Sequence, residues 1–304
     1  MKTFTSINVT ADTQSVVALG CFDGVHTGHV QVIKKARDIA NELSLPLTVW
    51  SFTEPPRNFF VPRSVPLLTD KKEKSSLMRK LGVDVFFCVP FDETIASMSA
   101  ESFFYDLLLN KLHAAHLVCG FNFTFGARGA GNTELLEKLS RTNGLELTVL
   151  PLVVSDSLTV SSSAIRDAFE SGDVKLANSL LGRPYSITKE VVNGQHLART
   201  LGFPTANQLY PENKAVLRYG VYSVRAAVGR KKYLGISNVG VRPTVNGSLL
   251  CVETHILDFD GDLYEKTLTV EFLDFIRPEK KFPSIDALAE QIKRDLLFVS
   301  QGTR

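Results

Sequence analysis

Residues 18–29 read ALGCFDGVHTGH. The apolar run Ser15–Leu19 stops at Gly20, a short turn follows that carries Gly24 and Gly28, and Val32, Ile33, Ala36, Ile39, Ala40 and Leu43 then recur at three- and four-residue spacing. That order predicts a strand, a tight turn and an amphipathic helix. A turn of this kind presents backbone N–H groups at a helix N-terminus, where an anion is favoured. His26 and His29 stand three residues apart, so near-helical backbone places both imidazoles on one side, and the glycines let a phosphate chain approach the main chain. Gly20, Phe22, Asp23, Gly24, His26, Gly28 and His29 are therefore candidate residues for holding a triphosphate. The competing reading is a glycine-rich turn with two solvated histidines.

Further along the first half, apolar runs at 45–52, 83–90, 116–120 and 145–154 alternate with helical patterns at 70–81, 100–112 and 133–141. Such alternation predicts a doubly wound α/β sheet of mostly parallel strands. In that architecture ligands bind beyond the carboxyl ends of the strands. Two more segments fall there. The first, GFNFTFG at 120–126, sets Asn122 among Phe123 and Phe125 and offers a surface for a flat ring, although phenylalanines of this kind also serve a core. The second, around Ser161, Ser162 and Arg166, supplies hydroxyls for a helix cap and a fixed cation one turn later, a second phosphate clamp.

After the short helical stretches that end at Gly182 the chain turns β-rich, with runs at 185–192, 221–228, 233–239, 250–257 and 267–275 joined by short turns, and a closing helix at 284–299. The domain boundary is placed near Gly182, giving 1–182 and 183–304. Residues 194–207 read as a shaped loop, in which Thr205 and Asn207 offer oxygen ligands to a hard cation such as Mg²⁺. Glu253 sits in an apolar run, as a partly buried general base or as a salt-bridged strand residue.

Over 304 residues, 34 basic and 32 acidic side chains nearly cancel, leaving a formal net charge of +2. No field for nucleic acid or an anionic membrane is implied. The N-terminus is polar and no apolar run reaches spanning length, so a cytoplasmic protein is expected. Four scattered cysteines read as reduced thiols.

Taken in order, GCFDGVHTGH, GFNFTFG, VSSSAIR, LGRPY, RTLGFPTAN, GISNVGVRPTV, VETHILDFDGDLYE and DFIRPEKKF resemble the motifs of the bacterial bifunctional riboflavin kinase/FMN adenylyltransferase family, also called FAD synthetase. The resemblance runs from about Val16 to Asp295. It implies a Rossmann-like nucleotidyltransferase domain with an HxGH turn, followed by a six-stranded antiparallel β-barrel riboflavin kinase domain with a closing helix. It also implies ATP and Mg²⁺ at both sites, with riboflavin, FMN and FAD as substrates and products. By the same resemblance His26 and His29 stabilise charge on ATP, Ser161, Ser162 and Arg166 hold its phosphates, and Asn122, Phe123 and Phe125 face the FMN or nucleotide. In the kinase domain Gly202, Pro204, Thr205 and Asn207 bind ATP and Mg²⁺, Glu253 accepts the proton and Arg277 contacts the flavin. The chain departs from the family pattern at Asn193 and Ala198, at Thr53-Glu54-Pro55-Pro56 and at Thr159. Small molecules are the expected partners, and a homo-oligomer is left open. Two other readings remain, an adenylyltransferase with an inactive barrel and a flavin sensor without catalysis.

Overall fold

In the computed structural model, residues 1–155, 158–193, 201–244 and 247–301 are described. The chain divides into two units, Met1–Ser162 and Ser163–Arg304.

The first unit is built on strands β1 (Lys2–Phe4), β2 (Ser15–Leu19), β3 (Leu47–Phe52), β4 (Val85–Val89), β5 (Ala114–Gly120) and β6 (Glu146–Leu150). They lie in the order β1-β4-β3-β2-β5-β6, every pair parallel. All five residues of β2 are buried, as expected for a strand covered on both faces. Alternation sorts them. Val16 and Ala18 pack towards Val32, Ile33, Ala36, Ile39 and Ala40 of the helix Thr27–Glu42, whereas Val17 and Leu19 face Phe103, Phe104, Leu107 and Leu108 in the opposite layer. The strand order reverses between β2 and β5, where Leu19 pairs with Cys119, and the chain leaves that point as Gly20 on one side and through Gly120 on the other. This switch point is where a doubly wound sheet opens a crevice.

Three local features depart from the sequence reading. The edge strand β1 was not anticipated, because MKTF is too short and polar to show a pattern. The expected helix at 100–112 begins as Ala100–Ser102 and widens into a π-helix at Phe103–Lys111, ending with a bond from the Leu112 N–H to the Leu107 carbonyl five residues back. The run 145–154 breaks at Pro151, leaving β6 and a small antiparallel pair, β7 (Val154–Ser155) with β8 (Leu158–Thr159).

In the second unit, β9 (Tyr185–Glu190), β10 (Ala206–Leu209), β11 (Gly220–Val228), β12 (Lys231–Thr244), β13 (Gly247–Ile256) and β14 (Thr267–Pro278) are antiparallel in the order β10-β13-β12-β11-β14-β9. A bridge from the Val192 N–H to the Asn207 carbonyl, 2.8 Å, nearly closes the barrel. The helix Ile285–Gln301 covers one side through Ile292, Leu296 and Val299, packed with Val221 and Ile236. The two helices Ser162–Ser171 and Val174–Leu181 also belong to this packing. Asn178 donates from Nδ2 to the Phe272 carbonyl and accepts the Tyr185 N–H at Oδ1, and the Phe169 ring lies 4.5 Å from that of Tyr185. For this reason the second unit begins upstream of Gly182, which caps the helix in a left-handed conformation.

The 194–207 segment is not wholly a loop. Residues 194–200, Ala198 among them, lie outside the described residues, but Ala206–Leu209 is a strand. Polar Asn-Gln hid it: Gln208 is fully buried and its amide nitrogen donates to the Lys189 and Leu268 carbonyls, so the backbone satisfies the donor end of a side chain unsuited to an apolar core, while Oε1 has no partner among the described residues.

Candidate active sites

The turn after β2 is shaped by left-handed backbone at Phe22, Gly24 and Val25, with φ of 50°, 82° and 43°. For a β-branched residue such as Val25 that conformation is strained. The surroundings hold it. Val25 is buried, the buried carboxylate of Asp23 accepts the N–H groups of Leu68 and Thr69, the Gly24 N–H donates to Thr69 Oγ1 at 3.0 Å, and Ser162 Oγ donates to the Asp23 carbonyl at 2.9 Å. Asp23 and Ser162 thus shape the turn, and the Gly24 N–H is spent within it.

His26 is the N-cap of the helix Thr27–Glu42: its Nδ1 accepts the His29 N–H at 3.2 Å. The neutral ring consequently carries its proton on Nε2. The two imidazoles do fall on one side, and they stack, with centroids 3.5 Å apart and planes 16° from parallel. Phe22 meets His29 edge-on at 5.2 Å, and a Cβ on Gly20 would touch the Phe22 ring at 2.9 Å. Gly20, Phe22, His26, Gly28 and His29 therefore form one packed group.

Across the switch point, Phe125 is buried against Phe103 at 5.3 Å, Phe123 is half-buried and stacks on Phe125, and Asn122 is exposed. Phe125 supports the wall that Phe123 and Asn122 present. Ser161 is half-buried, and Arg166 belongs to the second unit, one turn along the helix that starts at Ser162. Two features escaped the sequence reading. One is Lys74, a buried amine that donates to the Cys21 and Phe52 carbonyls. The other is an aromatic cluster of Phe52, Phe59, Phe60 and Phe91 beyond the end of β3, with Phe60 62% exposed. The unbroken Phe-Phe pair and Pro55-Pro56 were its only sequence signal.

On the barrel, Asn207, Glu253 and Asn238 occupy one row across β10, β13 and β12. Burial raises the Glu253 carboxyl above the usual carboxylate range, Arg242 opposes the shift and Glu279 adds to it. Asn238, missed by the sequence reading, donates to Glu279 Oε1 at 2.9 Å. Asn207 Nδ2 donates to the Thr205 carbonyl at 3.2 Å, a contact that leaves the amide oxygen for a cation. His255 Nδ1 donates to the Pro204 carbonyl at 2.8 Å, and Gly202 is left-handed with φ of 85°. Pro204 and Thr205 line a cavity of about 660 Å³ with Thr254, Asp260 and Tyr264. Arg277 is held by the closing helix. Its Nε and Nη2 clasp Asp295 and Nη1 reaches the Pro278 carbonyl, so the guanidinium ties β14 to the closing helix.

An anion-suited turn at the switch point of a parallel sheet, followed by a barrel with a raised carboxyl among oxygen donors, defines a tandem transferase of phosphate-bearing groups. The FAD synthetase family matches residues 8–164 and the riboflavin kinase family residues 181–301. Bifunctional riboflavin kinase/FMN adenylyltransferases are similar over most of their length: that of Haemophilus influenzae is 38% identical over 92% of this chain and 91% of its own, and that of Bacillus subtilis 38% over 93% and 90%. A crystal structure of a macrolide-efflux protein from Streptococcus pneumoniae superposes with a TM-score of 0.91 at 31% identity, covering 99% of both chains. The chain belongs to the bifunctional riboflavin kinase/FMN adenylyltransferase family. Among the described residues no helix is long and apolar enough to cross a membrane.

Proposed function

We propose that this chain phosphorylates riboflavin to FMN in its barrel and adenylylates FMN to FAD in its α/β unit, using one ATP for each step. The observation that carries it is the presence of both family domains on one chain.

In the barrel, the riboflavin 5′-hydroxyl attacks the γ-phosphate and Glu253 accepts its proton. Raised by burial, the carboxyl is a stronger base than an exposed glutamate. Thr205 and Asn207 would hold Mg²⁺. Among the described residues no group of His, Cys, Asp or Glu forms a dedicated metal cage, and oxygen donors completed by phosphates and water are what this ion takes. The chemistry such an ion would supply there is neutralisation of charge on the transferred phosphoryl group. Gly202 and Pro204 shape the nucleotide loop. Arg277, held in place by Asp295, contacts the flavin.

In the α/β unit, the FMN phosphate attacks the α-phosphate of ATP and pyrophosphate leaves. Gly20, Phe22, Asp23, Gly24 and Gly28 form the turn, His26 and His29 stabilise developing charge, and Ser161, Ser162 and Arg166 hold the phosphates. Asn122 and Phe123, backed by Phe125, position FMN. Functionally the division is drawn near Gly182, and the location is cytoplasmic.

The test is to incubate the protein with riboflavin, ATP and Mg²⁺ and to separate the flavins. FMN and FAD should both accumulate. FAD from FMN but none from riboflavin would leave an adenylyltransferase with a silent barrel, and flavin binding without turnover would leave a sensor.

A further inference from the structure

Lys74 lies on the helix Lys71–Lys80, is 1% exposed, and donates from Nζ to the Phe52 carbonyl at 2.7 Å and the Cys21 carbonyl at 3.0 Å. Ser51 Oγ shares the Cys21 carbonyl at 2.7 Å. Two short bonds thus draw the carboxyl ends of β2 and β3 onto one ammonium. Among the described residues no carboxylate pairs with Lys74. A buried cation whose only partners are carbonyls costs several kcal/mol unless an anion comes to balance it. Such a charge is an odd choice for a structural tie.

Its neighbours show where the anion arrives. Cys21 is the residue before the left-handed turn at Phe22–Val25, and the same segment that carries Lys74 also grips the turn through Leu68 and Thr69 to Asp23 and through Thr69 to Gly24. Gly24 and Val25 are left-handed in succession just ahead of the helix Thr27–Glu42, whose N-terminus favours an anion. The brace that holds the turn therefore ends in a fixed positive charge, one residue away from it in the hydrogen-bond chain.

We infer that Lys74 is a positioning residue for adenylyl transfer, its buried ammonium being the counter-charge for the pyrophosphate portion of ATP held at the 22–29 turn. The inference rests on the placement of the ATP phosphates proposed above. Among the described residues no carboxylate forms an ion pair with Lys74; ATP, or the pyrophosphate product, would bring the opposite charge. Lys74 touches no reacting atom and acts through the turn and through its field.

The experiment is the reverse reaction, FAD plus pyrophosphate giving FMN and ATP, which reads the α/β site alone. Lys74→Gln keeps an N–H donor and removes the charge, whereas Lys74→Met removes both. The KM for pyrophosphate should rise about tenfold or more in Lys74→Gln with a smaller change in kcat, while riboflavin phosphorylation stays at the wild-type level and emission from Trp50, the single tryptophan, shows an intact unit. A Lys74→Gln enzyme with wild-type KM, whether or not Lys74→Met is impaired, would reduce the residue to a hydrogen-bonded tie and overturn the proposal. His29→Ala is the control for the underlying placement: if its KM for pyrophosphate is unchanged, the phosphates lie elsewhere, and the failure belongs to the site assignment. Should neither lysine variant fold, ¹⁵N-lysine labelling of the wild-type protein decides. The Lys74 Nζ resonance should shift on addition of pyrophosphate, and a resonance that does not move overturns the inference.

Discussion

His26 and His29 stack face to face, 3.5 Å between ring centres, and the residue that permits it is the glycine between them: a Cβ at position 28 would stand 3.2 Å from Cε1 and 3.3 Å from Nδ1 of His26. The backbone at Gly28 is ordinary helix, so alanine there costs no backbone strain, and its gain in helix propensity offsets part of what is lost as the capping His26 ring gives way. Gly28→Ala should therefore leave thermal stability near the wild-type value while displacing the His26 ring from the stack. We expect FAD synthesis to fall about tenfold, as for a small misplacement of catalytic groups. Riboflavin phosphorylation is the internal control, and equal loss of both activities would contradict the local account.

The same turn predicts the behaviour of His29→Ala. The variant keeps the His26 cap, because the bond is made by the backbone N–H of residue 29. It loses the second imidazole. FMN should accumulate from riboflavin and ATP while FAD does not, with a deficit of roughly 10²-fold or more, in the range seen for removal of one charge-stabilising donor. Parallel loss of both steps in a folded variant would show that the two sites are not independent.

What the sequence revealed and what it hid divide along physical lines. β2 and the helix after it were legible because their periodicity is local: five consecutive buried residues, then one apolar face. Gly24 and His29 were legible because few structures need glycine and histidine at that spacing. Lys74 was not. In sequence it is one lysine of Lys71-Lys72-Glu73-Lys74, a run that reads as a solvated face, and only the tertiary fold separates the buried amine from its exposed neighbours. β10 was hidden by Gln208, whose burial depends on carbonyls contributed by β9 and β14. Arg277 was legible as a special residue, but its partner Asp295 lies on a different element, and no local pattern names it.

That pair gives a stability prediction. Asp295 is 2% exposed and takes both Nε and Nη2 of Arg277, with Gln291 donating a further bond to its Oδ1. Removing one member of a buried pair strands the other charge. Asp295→Ala should destabilise the second unit by about 3–5 kcal/mol in urea unfolding, and release the closing helix from β14. FMN formation should decline with it. FAD formation from supplied FMN should persist, and a variant of wild-type stability would show that the clasp contributes nothing.

Glu253 sets function against stability. Its carboxyl is raised above the ordinary value of 4.5, chiefly by burial, so the native state holds this proton more tightly than the unfolded chain does. By linkage, stability is then unaffected well below the unfolded pKa and falls as pH rises from about 4.5 through the raised native value, staying reduced above it. Glu253→Gln abolishes that loss. The variant should unfold at a higher urea concentration than the wild type at pH 7 and at nearly the same concentration at low pH, where Glu253 is neutral in both states. Its riboflavin kinase rate should drop by about 10²–10⁴, the usual contribution of a general base. In the wild type, the raised carboxyl moves the acidic limb of the kinase profile upward: the base is protonated and lost at a pH higher than an exposed glutamate would require. A glutamine variant less stable at pH 7 would mean that Glu253 is held as a structural anion, and full kinase activity in that variant would remove it from the reaction.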